Sequence, residues 1–144
     1  MEARSDAWTE DKGYGEALRT LVRQENDLTN HRTTWLLATQ GILFGAASAV
    51  IKDYSVPTVV IGAVGILTAW SIGYALKNSE KSRLHLKALW RARLEKGGYA
   101  PDELPPLDGG YPDLKPKKWL QPWNFIPRVA IGAWVVLIVY AVGK

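Results

Sequence analysis

The sequence predicts an all-α integral membrane protein. Three transmembrane helices are expected, the first two forming a long antiparallel hairpin that extends into the cytoplasm. Three observations predict it. Charge is concentrated in residues 1–32 and 77–118, which leaves Thr33–Ile51, Pro57–Leu76 and Val129–Gly143 as charge-free windows. The first two match the roughly 20 residues a membrane helix needs, and the third comes close once Ile126, Pro127 and Arg128 form its first turn. Finally, helical periodicity runs on from the first two windows into charged sequence. The mean hydropathy of −0.10 only averages these two kinds of sequence. As buried helices of a water-soluble protein, three such windows would need more amphipathic sequence to cover them than 144 residues leave.

Residues 1–13 read as a flexible tail. The opening stretch MEARSDAWTEDKGYGEAL is acidic and has no apolar core, so no cleavable signal peptide is expected. The hairpin occupies 14–96. Tyr14, Leu18, Leu21, Val22 and Leu28 recur mainly at spacings of three and four, and no Gly or Pro interrupts residues 16–40. One continuous helix from about Tyr14 to Ile51 would be roughly 57 Å long, so part of it must leave the bilayer. KDYSVP (52–57) is the outer turn, with Pro57 suited to the first turn of the next helix. Beyond span two (57–76), Leu86, Leu89, Trp90 and Leu94 share a stripe opposite Lys87, Arg91 and Glu95, and Gly97-Gly98 is a helix stop. The extensions 14–32 and 78–96 have equal length. Folding the chain at 53–56 places Leu21 near Leu89, Leu28 near Ser82 and Glu25 near His85. The alternative is two helices lying flat on the membrane surface.

Residues 97–123 hold six of the eight prolines and read as a cytoplasmic linker. Its Tyr99, Leu104, Leu107, Tyr111 and Leu114 could pack along the hairpin. Near its end, Lys117, Lys118, Trp119 and Trp123 suit the membrane interface, as do Trp35 and Arg128. Asn124 is a plausible N-cap for the third helix, 124–144.

Lys and Arg set the expected orientation. Fifteen lie in 1–32 and 77–118, against Lys52 and Lys144 on the other side. The N-terminus is therefore expected in the cytoplasm and the C-terminus outside a bacterial inner membrane. The net charge of +4 needs only anionic lipid headgroups on the cytoplasmic side, not direct contact with nucleic acid.

No enzyme is expected, and neither cofactor nor metal. Cysteine is absent, and neither His31 nor His85 sits in a catalytic motif. The spans hold no carboxylate for a proton relay. They instead carry packing signals. Span one has Ala38, Gly41, Gly45 and Ser48 at spacings of three and four; span two has Gly62, Gly65, Ala69 and Gly73. Such rows let helix backbones approach closely, within one chain or between copies. Gln40 is a lone amide in span one and needs a partner or water. Thr68, Ser71, a symmetry-related Gln40 or a pore are the options.

Glu25, Asn26, Asn30, His31, Arg32, Trp35, Gln40 and Phe44 resemble the E-N-x-x-x-N-H-R-x-x-W-x-x-x-x-Q-x-x-x-F signature of small bacterial membrane proteins. The overall plan is similar to the SLATT-type two-span modules of bacterial conflict systems. That resemblance implies oligomerisation into a pore when a sensor is triggered. The chain departs from the plan in its Pro-rich linker and third span. The expected function is a homo-oligomeric channel or pore-forming effector gated through the hairpin, with Gln40 on its axis. Glu25, Asn26, Asn30, His31, Arg32, His85 and Trp90 would form the cytoplasmic gate or a docking surface for a cytoplasmic sensor protein. The alternative is a non-conducting scaffold or accessory subunit. An enzyme acting on lipid is disfavoured, because no recognisable nucleophile or metal set is present.

Overall fold

The computed structural model describes residues 2–52, 55–98, 107 and 121–143. These form three helices: α1 Glu2–Val50, α2 Ser55–Gly97 and α3 Pro122–Val142. Each is long and apolar enough to cross a membrane, with best windows of mean hydropathy 1.2, 1.9 and 2.1. Only 17%, 22% and 22% of those windows is buried inside the protein. Most of the apolar side chains therefore face outward, where water would penalise them and hydrocarbon would not.

Two boundaries differ from expectation. α1 begins at Glu2 and not at Tyr14, so residues 2–13 are helical. Ion pairs from Glu10 and Asp11 to Arg93 tether this stretch. α3 begins at Pro122, with Gln121 as N-cap, while Asn124 lies inside the first turn and donates its backbone N–H to the Gln121 carbonyl at 2.8 Å. Proline at the first position leaves no N–H unsatisfied, which draws the start forward and puts Pro127 in the second turn. The α2 stop behaves as expected: Gly98 takes φ 66°, a left-handed conformation that favours glycine. Lys117, Lys118, Trp119 and most of the 97–123 linker lie outside the described residues.

The chain divides into two compact units. The charged unit combines Met1–Leu28 with Ser79–Lys115. Its core is Leu18, Trp90 and Leu107, with Leu86 and Leu94 packed against it. Trp90 sits directly on Gly15, where an added Cβ would come 2.7 Å from the ring. Asp11 is buried and accepts from Arg93 Nε at 2.5 Å. That hydrogen bond, with the charge of Asp11 behind it, raises the Arg93 pKa above its ordinary value. Arg93 also lies over the Tyr14 ring, 5.6 Å from its centroid. Ser82 donates to Glu25 at 3.3 Å and Arg83 to Asn26 at 2.9 Å. Glu25 thus meets Ser82, and His85 is exposed about one helical turn away.

The apolar unit combines Thr29–Asn78 with Pro116–Lys144. Leu36, Ala69 and Ala130 form its buried cluster, flanked by Ile72, Ile126 and Ile131. Trp134, Leu36, Leu76 and Thr58 are its fully buried larger side chains.

Candidate functional site

The apolar unit is organised around one amide. On α1, Leu36, Gln40 and Ala47 are buried and follow the i, i+4, i+11 spacing of a single helix face. Gln40 Nε2 donates to the Gly65 carbonyl and to Thr68 Oγ1, each at 3.1 Å. Gln40 Oε1 accepts from Trp134 Nε1 at 2.5 Å. One side chain of α1 is thus bonded to both α2 and α3. Both amide hydrogens and the amide oxygen are engaged, and nothing on the donor side remains for water. Thr68 Oγ1 is 3.0 Å from both the Val64 and the Gly65 carbonyl, so its single hydrogen stays within α2 while its lone pairs serve Gln40.

Glycine makes the node possible. A Cβ at Gly65 would collide with the Trp134 indole, and one at Gly62 would come 2.8 Å from Ile138. One at Gly73 would come 3.0 Å from Pro127. The α2 row of Gly62, Gly65, Ala69 and Gly73 is therefore the groove that receives α3. Trp134 is stacked on its other face by Phe44, with centroids 4.1 Å apart and planes within 4°. A tryptophan in mid-span, away from the interface depth where the residue concentrates, was the available signal for a buried N–H needing an acceptor.

The other expected site residues fall into three groups. Ala38, Gly41, Gly45 and Ser48 are exposed, and nothing lies within 4 Å of a Cβ built at Gly41 or Gly45. Among the described residues no side chain fills this row, because α1 turns Leu36, Gln40 and Ala47 inward instead. Ser71 is exposed and takes no part in the Gln40 node. In the charged unit, Trp90 is core, while Glu25 and Asn26 bond to α2; none of the three is a free docking group. Asn30 and His31 are exposed, and Arg32 reaches the Ala75 carbonyl at 3.4 Å. Trp35 and Arg128 are exposed, and Trp123 is half-buried.

No family model, curated protein or solved structure matches the chain. Among the described residues, no three His, Asp or Glu side chains converge in a way that could hold a metal ion. What the arrangement does chemically is hold three apolar helices together through neutral hydrogen bonds.

Proposed function

We propose that this chain is a homo-oligomeric integral membrane protein, a small channel or pore-forming effector of the bacterial inner membrane. Its subunits associate through the α1 face of Ala38, Gly41, Gly45 and Ser48. The observation that carries the reading is the contrast between the two small-residue rows. The α2 row is filled by Trp134, Ile138 and Pro127, whereas the α1 row is open. Without a hydrophobic drive between helices in lipid, such an open row is where a second backbone can approach. α1 and α2 would form an antiparallel hairpin. Supporting this, early α1 residues meet late α2 residues in each unit: Asp11 with Arg93 and Glu25 with Ser82, then Arg32 with Ala75 and Gln40 with Gly65. The N-terminus and the charged unit would lie in the cytoplasm and the C-terminus outside, following the excess of Lys and Arg. The charged unit would serve as gate, and the 25–44 signature supports a pore-type assembly. Gln40 takes a different role from the one its sequence position suggested. It locks each subunit, and the small-residue face borders the axis.

The deciding experiment is the mass of the protein in nanodiscs, with and without Gly41→Leu and Gly45→Leu. A discrete assembly of about four or more chains, dissociated by the leucines, is the expected result, since fewer spans cannot enclose a water path. Liposome ion flux would then follow assembly. A wild-type monomer or dimer would overturn the channel.

One observation favours a second reading. With Gln40 and Thr68 committed to each other, the spans keep few polar groups to face water. A non-conducting scaffold, offering exposed groups of the charged unit to a cytoplasmic partner, fits that economy. Oligomers that leave flux unchanged would select it.

A further inference from the structure

A cleft of about 290 Å³ opens between α2 and α3 at the end of the apolar unit where Lys77 and Arg128 lie. Its geometry follows from one close approach. Gly73 of α2 lets Pro127 of α3 come within contact distance. Lys77 is one turn beyond Gly73, and Arg128 directly follows Pro127, so the same approach brings both cations to one mouth. Trp70, Tyr74, Trp123 and Asn124 complete the lining. Among the described residues no carboxylate lines the cleft, and neither cation has an acidic partner. The first backbone N–H groups of α3 do not define the cleft, because those of Asn124 and Phe125 donate to the Gln121 carbonyl. The site is made by side chains.

We propose that this cleft binds the phosphate of an anionic phospholipid headgroup. Two cations from different helices, without an acidic partner among the described residues, call for an anion, and the arginine can grip phosphate oxygens in a bidentate fork. Trp70 and Tyr74 are 65% and 63% exposed beside the cations, the amphipathic aromatics that flank a headgroup at the membrane interface. Buried Ala69 and half-buried Ile131 give the inner wall an apolar surface suited to the diester's glycerol side. A volume near the lower end of small-molecule sites suits a headgroup. Such a lipid would bridge α2 and α3 at one membrane face. The inference rests on the membrane reading above and is independent of whether the assembly conducts.

The test uses the full-length protein in detergent, titrated with short-chain phosphatidylglycerol, short-chain phosphatidylcholine or inorganic phosphate, with occupancy read by native mass spectrometry. Lys77→Gln, Arg128→Gln and the double variant are compared with Lys52→Gln as control. Vesicle flotation of each protein is measured in parallel. The expected result is tighter binding of phosphatidylglycerol than of phosphatidylcholine. Each single variant should weaken it about fivefold and the double variant about thirtyfold, with Lys52→Gln and flotation unchanged. A double variant that floats and keeps the preference overturns the site. Displacement of phosphatidylglycerol by equimolar inorganic phosphate overturns the lipid as ligand in favour of a soluble anion. A wild type that fails to float removes the membrane reading, and this proposal falls with it.

Discussion

Trp90 and Trp134 occupy equivalent places in different surroundings. Each lies in a hollow left by a glycine: Gly15 in the charged unit, Gly65 in the apolar one. Each is nearly or fully buried. They differ at the indole nitrogen. Trp134 donates to Gln40, whereas Trp90 Nε1 has no hydrogen-bond partner among the described residues. The cross-links around them differ too. The charged unit is tied by Arg93 to Asp11 and Glu10 and by Arg83 to Asn26; the apolar unit is tied by a neutral amide. The difference in cross-links is the one expected between a water-facing and a hydrocarbon-facing unit. Beside water, a charged pair can form at modest cost when one member, as Arg93 does here, keeps partial exposure. In hydrocarbon nothing outside the protein can accept a hydrogen bond, so every polar group must be answered within the chain.

The comparison breaks first at the glycines. Gly65→Ala should be the most damaging small change in the chain, about 3 kcal/mol. It overpacks the groove and drives Trp134 away from Gln40 together. Gly15→Ala, which meets only the far edge of Trp90, should cost about 1–2 kcal/mol. Gly41→Ala on the open α1 face should be neutral or slightly stabilising through helix propensity. Equilibrium unfolding in mixed micelles, followed by tryptophan fluorescence and helical circular dichroism, ranks the three. If Gly65→Ala were no worse than Gly41→Ala, the groove for α3 would be wrong.

The next effect isolates the amide. Gln40→Leu fills a similar volume but leaves Trp134 Nε1 and the Gly65 carbonyl without that side chain. The expected loss is about 1–2 kcal/mol. The same change in a Trp134→Phe background should cost less by about 1 kcal/mol, because the N–H it would orphan is already gone. A double-mutant cycle with zero coupling would show that the two side chains do not share a bond.

These residues also show what a sequence can and cannot convey. The three apolar helices were legible because absence of charge over about 20 residues has few physical readings. So was the need of Gln40 for a partner, and Thr68 was among its expected partners. Trp134 was not expected, because Val129–Gly143 is apolar throughout and carries no polarity pattern to say which face turns inward. Shape decides it there, through a hollow on a helix distant in sequence. For the same reason the two small-residue rows looked alike, although only one is filled. Trp90 read both as part of the apolar stripe with Leu86, Leu89 and Leu94 and as a gate or docking group; its seat against Gly15 could not be read, because that glycine marks no hollow by itself. The helix that starts at Glu2 meets Arg93 through Glu10 and Asp11, contacts no local pattern announces.

The smallest expected effect concerns the character of the links. Arg93→Lys keeps the charge but loses the planar fork that reaches Asp11 Oδ1 through Nε and Glu10 Oε1 through Nη2. The variant should lower the unfolding midpoint of the charged unit by less than Gln40→Leu lowers that of the apolar one. The deficit should also shrink as sodium chloride rises, since the screening length falls from about 10 Å at 0.1 M to about 3 Å at 1 M and weakens the wild-type pair with Glu10. The Gln40→Leu deficit should not move over the same range, because no charge takes part in that node. Arg93 stays cationic at every working pH, its pKa being raised by Asp11, so no titration of Arg93 itself confuses the comparison. Equal salt sensitivity in the two variants would mean that both units are held by the same kind of force, and the distinction between a water-facing and a lipid-facing half would lose its physical basis.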